Sequence, residues 1–157
     1  MRFSAKQHLD YMKRLPGRAS SAALLLENSV GELLIVKADY KEHWTVPGGV
    51  VEEDEMPLAT AVRETHEEIG VTINPKIVEF VAVAVRTGPQ LITYQFIFKA
   101  RFPELTKIQL QEHEISDCIF VSREQVAAND RYYGEVVYTW AQGRTGYIEQ
   151  AFEARAE

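Results

Sequence analysis

Apolar positions between residues 19 and 38 run almost without interruption, as "ASSAALLLE" and "ELLIVKA" on either side of "NSVG". Short apolar runs bounded by turn residues predict two buried strands, 19–27 and 32–38, joined as a hairpin. Residues 76–86 and 90–102 are rich in Val, Ile, Phe and Tyr, and "TGP" between them predicts a second turn. Ile92, Tyr94, Phe96 and Phe98 share one face of the second of these strands and read as core. The looser "PELTKIQLQEHE" leads into a further strand over 116–121.

Helical spacing appears in four places. Residues 4–14 precede the breaker Pro16-Gly17, and 122–128 and 131–142 follow the last predicted strand. The strongest helix covers 55–69, with Leu58, Ala61, Val62, Thr65 and Ile69 forming a compact packing stripe. Asp54 is placed to cap it, Pro57 is tolerated in its first turn, and Gly70 suits the left-handed residue beyond its end. Interleaved strands and helices with hairpins predict an α/β fold: a mixed sheet flanked by helices, in one domain over 1–157. The helices at about 4–14 and 131–142 are appended to its two ends.

Charge narrows the function. The chain carries a formal charge of −6 and a sequence pI of about 5.3. It has no net attraction for nucleic acid backbones or anionic membranes, and no basic stripe with interleaved aromatics. An anionic ligand needs local positive charge. Cys118 is the single cysteine, which excludes an internal disulfide and suits a reducing compartment. Within "CIFV" it reads as a structural thiol. The N-terminal residues have no apolar signal-like run, and "AALLL" is too short to span a bilayer. These features lead to the expectation of a cytoplasmic protein.

One stretch breaks the ordinary pattern. In "RETHEEIG" (63–70), Glu64, Glu67 and Glu68 occupy i, i+3 and i+4, on a face turned away from the packing stripe. They also gather toward the helix C-terminus, where the macrodipole disfavours each anion by about 0.3–1 kcal/mol. Arg63 alone cannot neutralise three carboxylates. A hard divalent cation, Mg²⁺ or Mn²⁺, relieves both problems, since such ions prefer carboxylate and water oxygens.

The stretch "GVVEEDEMPLATAVRETHEEIGV" (49–71) resembles the box of the Nudix (MutT-like) hydrolase family: Gly, five residues, Glu, seven residues, then Arg-Glu-apolar-x-Glu-Glu-x-Gly-apolar. Gly49, Glu55, Arg63, Glu64, Glu67, Glu68, Gly70 and Val71 stand at the matching places. The lead-in "WTVPGG" and the later "HEISDCIFVSREQV" are also similar to family segments, so the likeness runs from about residue 18 to 128. It implies an α/β/α sandwich around a mixed sheet. It also implies Mg²⁺- or Mn²⁺-dependent hydrolysis of a nucleoside diphosphate linked to another moiety.

Carried over residue by residue, the resemblance makes Glu64, Glu67, Glu68 and the Gly49 carbonyl the metal ligands. Glu55 and Arg63 hold them, and Glu64 is a candidate to activate water. Members often recruit a distant loop carboxylate; Glu114 matches that place best, and Glu112 is its neighbour. Two departures stand out. Thr65 replaces an aliphatic residue, and Asp54 replaces a common glycine. Trp44 and Arg86 are candidate substrate contacts, whereas His43 and His66 read as surface residues. Among substrates, a dinucleoside polyphosphate, ADP-ribose, a nucleotide sugar and a nucleoside triphosphate all stay open, as does a homodimer. A non-catalytic nucleotide sensor is the alternative, although no box glutamate is lost. An isopentenyl diphosphate isomerase-like reading is disfavoured by the late position of Cys118.

Overall fold

A computed structural model of the chain describes residues 4–88 and 91–151. Its centre is a seven-stranded mixed sheet built from β1 (Ser20–Glu27), β2 (Leu33–Ala38), β3 (Gly48–Val50), β4 (Glu79–Gly88), β5 (Leu91–Arg101), β6 (Ile115–Val121) and β7 (Gly146–Ala151). The order is β6-β2-β1-β5-β4-β7, with β3 paired to β1. The β1–β5 and β4–β7 pairs are parallel, and the others are antiparallel.

Four helices accompany the sheet: α1 (Ala5–Met12), α2 (Pro57–Ile69), α3 (Arg123–Ala127) and α4 (Glu135–Ala141). On one face, Ala61 and Ile69 of α2 pack with Ala22, Leu24 and Leu34. On the other, Val136, Val137 and Trp140 of α4 and Val126 of α3 pack with Ala23, Leu25 and Ile97. β1 is therefore sealed on both faces, which explains why it reads as a continuous apolar run instead of an alternating one. The predicted α/β/α sandwich is the observed architecture.

Several boundaries differ from expectation, each for a local reason. Helix α2 starts at Pro57, and Met56 is its N-cap without any side-chain hydrogen bond. Asp54 does not cap it. It sits instead at φ 64, a left-handed conformation that glycine adopts freely and Asp tolerates better than most residues. Gly70 closes the helix at φ 70, as its position suggested. The stretch 76–78 is not strand: Asn74 caps a short 3-10 turn at 75–77, and β4 begins only at Glu79.

The expected helix at 131–142 shortens to α4, because Trp44 bridges Tyr133 and holds that segment extended. The appended helix near the N-terminus is present as α1, yet buries none of its residues. Strand β7 has no counterpart in the sequence reading. The face carrying Tyr94, Phe96 and Phe98 is only half-buried and Ile92 is exposed, since α2 lies mainly over β1 and β3. The fully buried residue of β5 is Ile97, on the opposite face. Of the second turn, Pro89 and Gln90 lie outside the described residues.

Candidate functional site

The ends of β2 and β3 and the start of β6 meet at one end of the sheet, against α2. Both glycines of "PGG" are required by close approach. A Cβ on Gly48 would lie 2.3 Å from the carbonyl oxygen of Ala22, and one on Gly49 would lie 2.3 Å from Glu64 Oε1. At Gly48 backbone itself blocks a side chain, whereas at Gly49 a side chain would have to displace the Glu64 carboxyl.

Arg63 is the hub of the helix face. Its Nε and Nη2 donate to the two oxygens of Glu55 at 2.9 and 3.0 Å. Its Nη1 donates to Glu64 Oε1 at 2.8 Å and to Glu67 Oε2 at 2.9 Å. Thr60 Oγ1 adds a 2.6 Å hydrogen bond to Glu55. The Arg63 and Thr60 bonds hold the Glu55 carboxyl at about 2, well below its ordinary value. A planar guanidinium reaching three carboxylates orients them as a set, which a point charge does not do.

Glu68 stands apart from this network. It is 5% exposed, and its Oε2 accepts a hydrogen bond from the Gly48 N–H at 3.3 Å. Burial, reinforced by Glu64, pushes its carboxyl up to about 8. Burial also raises Glu64, against the pull of Arg63, with Glu67 and Glu114 adding to the rise. Tyr40 is raised by burial and then by Glu114, Glu68 and Glu64. Glu114 is thus near enough for its charge to raise Glu64, Glu68 and Tyr40.

What fetches Glu114 is backbone. The N–H of Gln109 donates to Ile69 O and that of Gln111 to Glu68 O, both at 2.9 Å, so the loop before β6 closes the open carbonyls at the end of α2. His113 turns the chain at φ 69, and Glu114 O accepts from the Asp39 N–H at 2.9 Å. Glu112 is exposed.

Comparison with known proteins fits this geometry. The family described as "NUDIX domain" matches residues 17–140. The chain belongs to the Nudix family. A curated relative, diphosphoinositol polyphosphate phosphohydrolase 2 of Mus musculus, is 36% identical over 72 residues, covering 45% of this chain and 40% of that protein. The chain therefore matches only about two fifths of that relative's length.

Among solved structures, the MutT protein from Methanosarcina mazei Go1 is similar with a TM-score of 0.65 and 19% identity, over 82% of this chain and 94% of the other. The NUDIX domain of Shewanella oneidensis NrtR, solved with ADP ribose, is similar with a TM-score of 0.68 and 15% identity. That match covers 89% of this chain and 97% of the other. Both likenesses concern the fold.

The Nudix box residues offer only oxygen donors, which suits a hard divalent cation. Glu68 fits the role best: its buried carboxyl accepts one long hydrogen bond, from the Gly48 N–H, and Lys41 favours its charged form. Among the described residues, no three acidic, histidine or cysteine side chains are drawn together as a finished metal cage, and Arg63 occupies one oxygen each of Glu64 and Glu67.

Other candidates fall elsewhere. Trp44 is half-buried against the α4-side core, with the Arg131 guanidinium 6.0 Å from its ring centre. Arg86 lies on that same sheet face, its Nε 3.3 Å from Gln150 Oε1. His43 meets the Tyr132 ring edge-on at 5.7 Å, and exposed His66 pairs with Thr72 Oγ1 at 3.2 Å. The Cys118 thiol, half-buried, is pushed up to about 12 by burial, which suits an inert structural residue. No helix among the described residues is long and apolar enough to cross a membrane.

Proposed function

We propose that this Nudix protein is a hydrolase that uses Mg²⁺ or Mn²⁺ to cleave the pyrophosphate bond of a nucleoside diphosphate linked to another moiety. The observation that carries the reading is the pairing of two environments in one site. Glu55, Glu64 and Glu67 are oriented by Arg63, while Glu68 is buried beside them and Glu114 is close enough for its charge to raise both Glu64 and Glu68.

In this reading, Glu64, Glu67, Glu68, Glu114 and the Gly49 carbonyl would hold the cation. Glu55 and Arg63 are positioning residues that keep the carboxylates in register. A divalent cation held by these residues would neutralise phosphate oxygens and lower the pKa of water, the usual contribution of such ions to phosphoryl chemistry. Glu64 accepts a proton from the attacking water. The water oxygen bonds to phosphorus, and the bond to the bridging oxygen breaks, leaving two phosphorylated products. Most of the rate gain then comes from alignment and charge stabilisation.

A nucleotide suits this chain better than an inositol pyrophosphate, although the mouse relative's name concerns the latter. A densely phosphorylated ring calls for a basic surface, and this chain carries a formal charge of −6. The Shewanella domain, solved with ADP ribose, shows that the fold accommodates such a ligand.

The test is a hydrolysis screen over dinucleoside polyphosphates, ADP-ribose, nucleotide sugars and nucleoside triphosphates, with Mg²⁺ or Mn²⁺, a chelator control and Glu67→Gln alongside. Metal-dependent release of a nucleoside monophosphate, lost in Glu67→Gln, is the expected result. Silence across the panel with nucleotide binding intact would favour a sensor.

A further inference from the structure

The sheet face opposite α2 carries a polar patch that the metal-site residues do not use. Strand register places Ser21, Gln95 and Ala84 in one row, and Thr93, Arg86 and Gln150 in the next. Residues two apart on a strand share a face, so both rows continue the face of Ala23, Ile97 and Ala82 that α4 covers. The patch lies just past the first residue of α4, Glu135, whose charge acts on Arg86.

Two features of the patch are left unpaired. Gln95 Oε1 is the one buried side-chain oxygen or nitrogen without a hydrogen-bond partner among the described residues. Burial pushes Arg86 down from its ordinary pKa, yet among the described residues its guanidinium bonds only through Nε, to Gln150. Buried acceptors and desolvated donors are normally paired, and each left open weakens the fold. Ala84 is buried in the α4-side core, whereas Ser21, Gln95 and Arg86 are only half-buried and keep part of their surface open at this end of the sheet. Ser21 also pairs with Val50, the residue after Gly49, so Gln95 lies two strand spacings, about 10 Å, from β3.

We infer that Arg86 and Gln95 bind the nucleobase of the ligand. Gln95 Oε1 accepts an N–H from the base edge, and Arg86 donates to the ring nitrogen or exocyclic oxygen beside it. A phosphate is excluded by the same geometry: it would face the Gln95 oxygen and the Glu135 carboxylate. The inference rests on the nucleotide reading above and adds which residues determine it.

The test joins binding to kinetics. The side-chain amide of Gln95 is followed by NMR while guanosine monophosphate, adenosine monophosphate or inorganic pyrophosphate is added without metal. At least one nucleotide is expected to shift it, and pyrophosphate is not. Gln95→Leu and Arg86→Met are expected to raise KM about tenfold while kcat stays within about twofold. Gln95→Leu should melt no lower than the parent, because it removes an unpaired polar atom; a purely structural Gln95 would give a lower Tm and an unchanged KM.

A folded Gln95→Leu with normal KM, or a Gln95 amide that moves with pyrophosphate alone, overturns the inference. A protein that hydrolyses nucleotides while its Gln95 amide stays still sinks this inference and leaves the hydrolase reading standing. A nucleotide that moves the amide in a protein without turnover supports the base site and sinks the hydrolase reading.

Discussion

The backbone of Gly49 lies so close to Glu64 that a single methyl group would stand 2.3 Å from Oε1. The loop and the helix therefore fix each other's position, and Gly49→Ala tests it. The added Cβ must push Glu64 off its place, and misplacement of about 1 Å costs on the order of 100-fold in rate. We expect kcat to fall by about that factor with little loss of stability, since the atoms in the way are the far end of the Glu64 side chain. Steady-state kinetics beside thermal unfolding checks both. Activity near normal would mean that Glu64 does not depend on the loop.

Arg63→Lys keeps the charge and removes the fork. A lysine cannot bond Glu55 through two nitrogens while reaching Glu64 and Glu67 through a third. Loss of such supporting contacts costs about 10–100-fold in activity or metal affinity, and we expect a loss in that range with the fold retained. Glu55 gives an independent readout. Its folded pKa, now about 2, lies below the unfolded value, so its contribution to stability is present above the unfolded pKa and lost as pH falls through about 2. In the variant that acid limb should move to higher pH, visible by NMR of the carboxyl carbon.

How much of this was visible in the sequence depends on how each residue is held. Glu64, Glu67 and Arg63 lie on one helix, so spacing alone places them. The burial of Glu68 was not visible: helical angles put it away from the packing stripe, but β3 crosses that side and covers it. Glu114 emerged only through the family likeness, because the bonds that carry its loop, Gln109 to Ile69 and Gln111 to Glu68, are backbone bonds that leave no side-chain pattern. Strand β7 pairs with a partner more than sixty residues earlier, for example Gly146 with Ala82, and a short edge strand has little alternation to announce it. Gln95 was hidden by the choice of face. The aromatic residues of β5 drew attention to a face that is only half-buried, whereas Gln95 lies on the opposite face with buried Ile97.

Thr65→Val asks whether the departure from an aliphatic residue is structural. Thr65 is fully buried, and its Oγ1 donates to Ala61 O at 2.8 Å, one turn back along α2. That carbonyl sits within the helix ladder, so removing the hydroxyl orphans nothing. We expect stability to be unchanged or raised by up to about 1 kcal/mol, with kcat intact. Chemical denaturation decides it; a large loss would show that the hydroxyl sets the helix curvature on which the glutamates depend.

The last prediction concerns Glu68 and the direction of its pH dependence. Its folded pKa, about 8, lies above the ordinary carboxyl value of 4.5. Between these values the folded state holds a proton that the unfolded state has released, so stability falls as pH rises across that window. Glu64 is raised too and acts in the same direction, whereas Glu55 acts in the opposite one at lower pH. Without divalent cation, we expect Tm to drop between pH 5 and pH 8, by an amount on the order of a few kcal/mol in stability. Adding Mn²⁺ supplies the missing positive charge, so it should stabilise more at pH 8 than at pH 5 and release a proton on binding. Thermal melts with EDTA or MnCl₂ across this range measure the effect, and Glu68→Gln should flatten the slope. A slope that survives in Glu68→Gln would assign it to another group, while a Mn²⁺ effect independent of pH would remove Glu68 from the metal site.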